Sequence, residues 1–190
     1  EISACLVGSE MCIRDRNLID QAYDVGIRIG EMPDARIIAR KIASNRRLLC
    51  AAPAYIKRHG QPSVPRDLQK QQCIVLREND AAYGSWHLHR GKRQESVKVR
   101  GALSSNDGET TLAWALAGHG ILMRSQWDVA PYLRSGRLVE VLADWSLPPS
   151  DIYAVYPERL NLSAKVTAFV DFMSARSVSY THLTLPTICS

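Results

Sequence analysis

The chain reads as an α/β protein. Short apolar runs of strand character alternate with segments carrying helix start and stop signals, the order expected of βαβ units and largely parallel sheets. With 190 residues, 46% of them hydrophobic and 23% charged, it has the bulk of one globular domain or two small lobes. No window approaches the roughly 18 consecutive apolar residues of a membrane span. Nor do the first residues show the basic start and apolar run of a secretion signal.

The elements follow in order. In "YDVGIRIG" (23–30), Val25, Ile27 and Ile29 alternate with other residues, as in a half-buried strand, and Gly30 opens the turn "EMPD". "RIIARKIA" (36–43) fits a strand or a short helix equally well. "RRLLCAAP" (46–53) is a buried strand ended by Pro53. That proline suits the first position of the helix "PAYIKRHG", with Gly60 just past its end. A short helix in "QPSVPRDLQKQQ" precedes the strand "CIVLRE" (73–78). "SWHLHRG" and "ESVKVRG" form a hairpin turning at "GKRQ", with Trp86, Leu88, Val97 and Val99 on its apolar face.

"SSNDGETTLAWALAGHGIL" (104–122) then opens a helix. It ends at a double-glycine break, Gly118 and Gly120, and leads into the strand "ILMRS". Asp128 can cap "VAPYLRSG", a helix stopped by Gly136. "RLVEVL" and "DIYAVYP" are strands on either side of a loop stiffened by Pro148 and Pro149. Ser163 can cap a last helix running to Arg176, with Val166, Phe169, Val170 and Met173 forming the stripe that lies on a sheet. Boundaries near 50–53 and in the proline loop 143–150 flank one central block. They predict a lobe inserted into another lobe.

The two ends stand apart. "EISACLVGSEMCIRDR" (1–16) and "VSYTHLTLPTICS" (178–190) share no periodicity with the middle. They resemble translated sequencing-adapter read-through and are read as non-native tails, 1–16 and 177–190. Setting them aside removes Cys5, Cys12 and Cys189. It leaves Cys50 and Cys73 among apolar neighbours, as buried reduced thiols that suit a cytoplasm. The formal net charge is +5, but the cations are scattered and outline no nucleic-acid groove.

Familiar catalytic signatures do not occur: no GxGxxG after a strand, no phosphate loop, no HExxH and no GxSxG. His87 and His89 share a hairpin face but have no evident Cys, Asp or Glu partner, so neither a metal nor a cofactor is expected. Ser104 with Asp107, or Asn106 with Glu109, has the spacing of a capping box, and the two carboxylates complement the helix dipole. The same helix start can instead hold a small carboxylate through Ser104, Ser105 and Asn106, at the strand-to-helix junctions where open α/β sheets bind ligands. Arg124 at a strand end can clamp a carboxylate or form an ion pair. Met123 and Trp114 read as interior packing. Arg28 points away from its apolar neighbours.

Four stretches carry a family resemblance: "YDVGIRIGEMPDARIIARKIASNRRLLCAAPAYIKRHG", "DLQKQQCIVLREND", "SSNDGETTLAWALAGHGILMRSQWDVAPYLRSGRLVEVL" and "DIYAVYPERLNLSAKVTAFVDF". In order and spacing they resemble the effector-binding domain of LysR-type transcriptional regulators, and within that family the subgroup that includes the D-malate-utilisation regulator. The resemblance implies a fold like a type 2 periplasmic binding protein, two α/β lobes joined by a double crossover. Residues 17–51 and 150–176 would form a truncated lobe I, and 52–149 lobe II. It further implies a small-molecule effector held between lobes, at Gly30–Glu31, Ser104–Asn106 and Met123–Arg124, and action as a homo-oligomer. DNA would be contacted only through a helix-turn-helix absent from this chain. Losing part of lobe I would uncover an apolar face and a sheet edge, so poor solubility of the fragment is expected.

Two other classes compete. A solute-binding protein of a transport system shares the fold but needs a secretion signal. A small α/β enzyme needs a catalytic set that the sequence does not display.

Overall fold

The computed structural model describes residues 24–30, 37–77, 84–101, 103–157 and 163–181. They fall into two compact units. The first takes residues 49–123 and 136–146; the second takes those up to 48, 124–135 and those from 147 on.

The first unit is built on a five-stranded sheet in the order β7-β4-β8-β3-β9. Its strands are β3 (Arg47–Ala51), β4 (Cys73–Leu76), β7 (Leu103–Ser105), β8 (Ile121–Ser125) and β9 (Val139–Glu140). β4 runs parallel to both β7 and β8, while β3 and β9 pair antiparallel. β3 and β4 are almost wholly buried, which is why both read as continuous apolar runs. Helix α1 (Pro53–His59) begins with Pro53 in its first turn and ends at Gly60, whose φ of 79° is the left-handed value a C-terminal glycine supplies. A 3-10 turn, Pro65–Lys70, follows.

The hairpin β5 (Ser85–Arg90) and β6 (Arg93–Lys98) turns through Gly91, φ 59°, and Lys92. Trp86, Leu88, Val97 and Val99 are buried as the alternation predicts. Next to the turn, the Arg90 and Arg93 guanidiniums lie over the buried Trp145 ring, at 5.0 and 5.5 Å.

The second unit contains a fully antiparallel sheet in the order β1-β10-β2, made of Gly26–Ile29, Ile152–Pro157 and Ile37–Ala43. Segment 36–43 is therefore a strand. The expectation of largely parallel sheets holds only for part of the first unit, because β1 and β2 both pair with the much later β10. Helix α4 (Ala164–Thr181) lays Val166 and Val170 on Ile42, Ala43, Ile152, Ala154 and Tyr156. Met173 and Val25 pack at the margin of this cluster. The buried stripe is narrower than predicted: Phe169 is 42% exposed. Ile27 and Ile29 on the edge strand β1 are 42% and 44% exposed, since the helix covers β2 and β10 instead.

Cys50 and Cys73 are buried and free, and burial pushes each thiol up to about 12. A thiol so disfavoured as thiolate is a poor nucleophile. Iodoacetamide at neutral pH is expected to leave both cysteine peptides unlabelled in the native chain and to label both in guanidinium, as read by peptide mass spectrometry.

Candidate functional site

The strand-to-helix junction after β7 is the first candidate. β7 stops at Ser105, and helix α2 covers Gly108–Leu116, so the helix starts later than the sequence suggests. Its N-cap is Asp107, whose carboxylate accepts the Thr110 N–H at 2.8 Å and the Thr110 hydroxyl. The predicted capping boxes through Ser104 or Asn106 do not form. Extended backbone runs through Ser105, leaving Asp107 as the last non-helical residue. Ser105 serves the turn itself, its hydroxyl accepting the Asp107 N–H at 3.0 Å.

Ser104 is half-buried and Asn106 exposed. Among the described residues neither side chain is hydrogen-bonded. The junction thus divides the predicted triplet: Ser105 is committed to the turn, while Ser104 and Asn106 keep their polar groups available.

Asp107→Ala should cost about 1 kcal/mol, the usual value of an N-cap. That corresponds to a fall of about 2–4 °C in Tm for a chain of this size, with Asp107→Ser close to the parent in thermal melts.

Parallel pairing aligns the strand ends. Val75 is opposite Ser104, and Ile74 is opposite both Leu103 and Leu122. One residue further on, Met123 reaches the level of Ser104 across the central strand. Both lie at the carboxyl edge of the sheet, where α/β sheets take ligands. Met123 is half-buried, as is Trp114 on α2, so neither is the interior packing residue the sequence suggested. The helix instead buries Gly108, Thr111 and Ala115. A cleft of about 470 Å³ elsewhere in this unit, lined by Arg66, Gln69 and Gln94–Val97, includes none of the predicted residues.

In the second unit, Arg124 is only 8% exposed, and its Nε lies 2.8 Å from Asp128 Oδ2 one helical turn on. Burial pushes the Asp128 carboxyl up and the Arg124 charge opposes that shift. Asp128 is therefore not the cap of helix α3 (Gln126–Arg134). That role falls to Ser125, whose hydroxyl accepts the Trp127 N–H at 3.2 Å. The helix starts three residues earlier than predicted because its cap is the last residue of β8.

Gly30 ends β1 at φ 94°, and its N–H donates to the Asp151 carbonyl at 2.9 Å. Glu31 lies outside the described residues. Gly30 and Arg124 both border a polar cluster that the sequence did not single out, formed by Asn45, Ser125, Ser150 and Asp151. No signal along the sequence marks it, because Asn45 stands between Ser44 and two arginines like an ordinary loop residue. Among the described residues no group of three or more His, Cys, Asp or Glu could hold a metal ion, and no helix is long and apolar enough to cross a membrane.

The described residues thus form two units of mixed α/β structure, with polar groups at the ends of parallel strands in the first. Residues 15–177 match the LysR substrate binding domain model. The chain belongs to that family. It is 44% identical over 167 residues to the HTH-type transcriptional activator TtdR of Escherichia coli K12, covering 87% of this chain and 53% of the relative. It is 42% identical over 163 residues to the HTH-type transcriptional regulator DmlR of the same strain, covering 85% and 53%.

Among solved structures, the CrgA regulatory domain of Neisseria meningitidis superposes with a TM-score of 0.74 at 25% identity, over 85% of this chain and 79% of that one. The AphB regulatory domain of Vibrio vulnificus gives 0.65 at 30% identity, over 82% and 76%. The periplasmic-binding-protein-like fold class expected from the sequence is thereby established. The relatives are transcriptional regulators rather than enzymes, and the chain spans about half the length of those it matches.

Proposed function

We propose that the chain is the effector-sensing part of a LysR-type transcriptional regulator acting in the cytoplasm, and that its effector is a small carboxylate. The observation that carries the ligand class is Arg124. A guanidinium this buried, at the end of a strand and matched among the described residues by one partly exposed carboxylate, is poised to take a second anion. The Ser104 hydroxyl and the Asn106 amide supply neutral donors suited to the hydroxyl and carboxylate oxygens of a hydroxy acid. Ser105 and Met123 are further proposed contact positions of the first unit, and Gly30 of the second.

Effector binding then favours one conformation of a homo-oligomer over another, by no more than its difference in affinity for the two. DNA contact belongs to a helix-turn-helix that these residues do not include. The similarity to TtdR and DmlR supports this reading over a transport solute-binding protein.

Isothermal titration of the chain with D-malate, tartrate, acetate and a neutral diol tests the ligand class. Saturable heat with a hydroxy dicarboxylate and none with the diol is the expected result. Absence of binding by every carboxylate would remove the proposed effector class.

A further inference from the structure

We infer that Asn45 is a positioning residue. Its buried amide fixes the backbone that carries Gly30 and Arg124, an inference that rests on the effector-binding reading of those two residues. Leu48, Arg124 and Leu147 are the last or first residues of the second unit at three places where the chain enters or leaves it. Asn45, Ser125 and Ser150 each lie within three residues of one of these points.

One side chain joins them. Asn45 is 6% exposed; its Nδ2 donates to the Ser150 carbonyl at 2.9 Å, and its Oδ1 accepts the Ser125 hydroxyl at 2.8 Å. Its backbone adds two more bonds: the N–H donates to Asp151 Oδ1 at 3.1 Å, and the carbonyl accepts the Ser150 N–H at 3.2 Å. Next to it, the Arg46 carbonyl accepts the Gln126 N–H at 2.8 Å, and the Arg46 guanidinium donates to the Gln126 side chain.

The connection to the candidate contacts is short. Ser125 follows Arg124 directly, and the Asp151 carbonyl takes the Gly30 N–H at 2.9 Å. A planar amide is suited to this place because its NH2 group donates on one side and its oxygen accepts on the other, and at 6% exposure little water reaches the residue to replace these bonds. Aspartate has the same shape but sets an acceptor against the Ser150 carbonyl. Alanine removes both bonds. Among the described residues Ser150 takes part through its backbone alone, its buried hydroxyl having no partner there, so Ser150→Ala serves as a control that leaves the junction whole.

Asn45→Asp, Asn45→Ala, Ser125→Ala and Ser150→Ala in the full 190-residue chain, studied by amide hydrogen exchange and by titration with D-malate, test the inference. The two Asn45 variants should exchange about tenfold or more faster at Gln126, Trp127 and Ser150, with first-unit amides such as Leu122 unchanged. Their Kd for D-malate should rise by about tenfold or more, and Ser150→Ala should match the parent in both measurements. If the Asn45 variants do not fold, Ser125→Ala, which removes one arm and the α3 cap together, should speed exchange at Ser150 as well as at Trp127, and a rise confined to Trp127 overturns the inference.

Parental exchange in the variants, or a uniform rise across both units, overturns the inference. So does a parental Kd in a variant whose junction has loosened. If the parent binds no carboxylate, the effector class fails instead, and the exchange measurements alone decide whether Asn45 holds the junction.

Discussion

Arg124→Ala is expected to abolish most of the affinity for the proposed carboxylate effector while leaving a folded chain. A charge-assisted bond to a carboxylate contributes about 1.5–3 kcal/mol, so the dissociation constant for the bound hydroxy acid should rise by about 10- to 100-fold. Arg124→Lys should recover only part of this, because an ammonium cannot reproduce two parallel guanidinium bonds. The fold feels the change too. Asp128, pushed up by burial, loses the cation that opposes the shift. Its side chain is 38% exposed, so water relieves much of the loss, and a few degrees in Tm is the expected cost. Calorimetric titration beside thermal melts checks both parts. Parental affinity in Arg124→Ala would show that the guanidinium serves only the ion pair with Asp128.

Gly120→Ala is expected to damage the fold severely. A Cβ at this position would stand 2.6 Å from the Gln72 carbonyl oxygen and 3.2 Å from both the Gln72 carbonyl carbon and Ile74 Cγ1. That oxygen accepts the Ile121 N–H at 2.9 Å, the bond that seats β8 beside β4. Backbone at both ends leaves no flexible group to yield, so β8 must move away from β4. About 3 kcal/mol of lost stability, or about 6–12 °C in Tm, is expected.

Gly118→Ala is the informative comparison. Gly118 has φ 77°, and the nearest atom to a new Cβ is the end of the Arg58 side chain at 3.2 Å. An alanine there meets mainly the left-handed backbone cost of about 1–2 kcal/mol. Urea melts of the two variants should therefore separate clearly. Equal losses would mean that the close approach of Gly120 to Gln72 does not constrain the sheet.

This pair of glycines illustrates how much of the molecule was readable. The sequence marks Gly118 and Gly120 as one break between helix and strand, and the break is there. It does not reveal that one glycine is needed for its dihedral angle and the other for a neighbour 48 residues earlier in the chain. The same division runs through the candidate site. "SSND" announced a polar helix start, but whether Ser104 or Asp107 caps it depends on how far β7 extends beside β4, a matter of pairing. Arg124 was legible as a cation at a strand end. That it could form an ion pair was legible too; its burial and its partner Asp128 were not, because they follow from α3 starting directly after Ser125.

Local chemistry alone marked some of the elements: the hairpin by alternation, α1 by Pro53 and Gly60, and β3 and β4 by continuous apolar runs. The family resemblance could likewise be read from the order and spacing of residues. Pairing across long separations decided the rest. It made one sheet antiparallel by threading β10 between β1 and β2, left Phe169 and Ile27 facing outward, and gathered Asn45, Ser125 and Ser150 into one cluster. Such contacts join residues tens of positions apart, so no periodicity along the chain encodes them. They form only when hydrogen-bonding groups buried by packing must find partners wherever the fold brings one within reach.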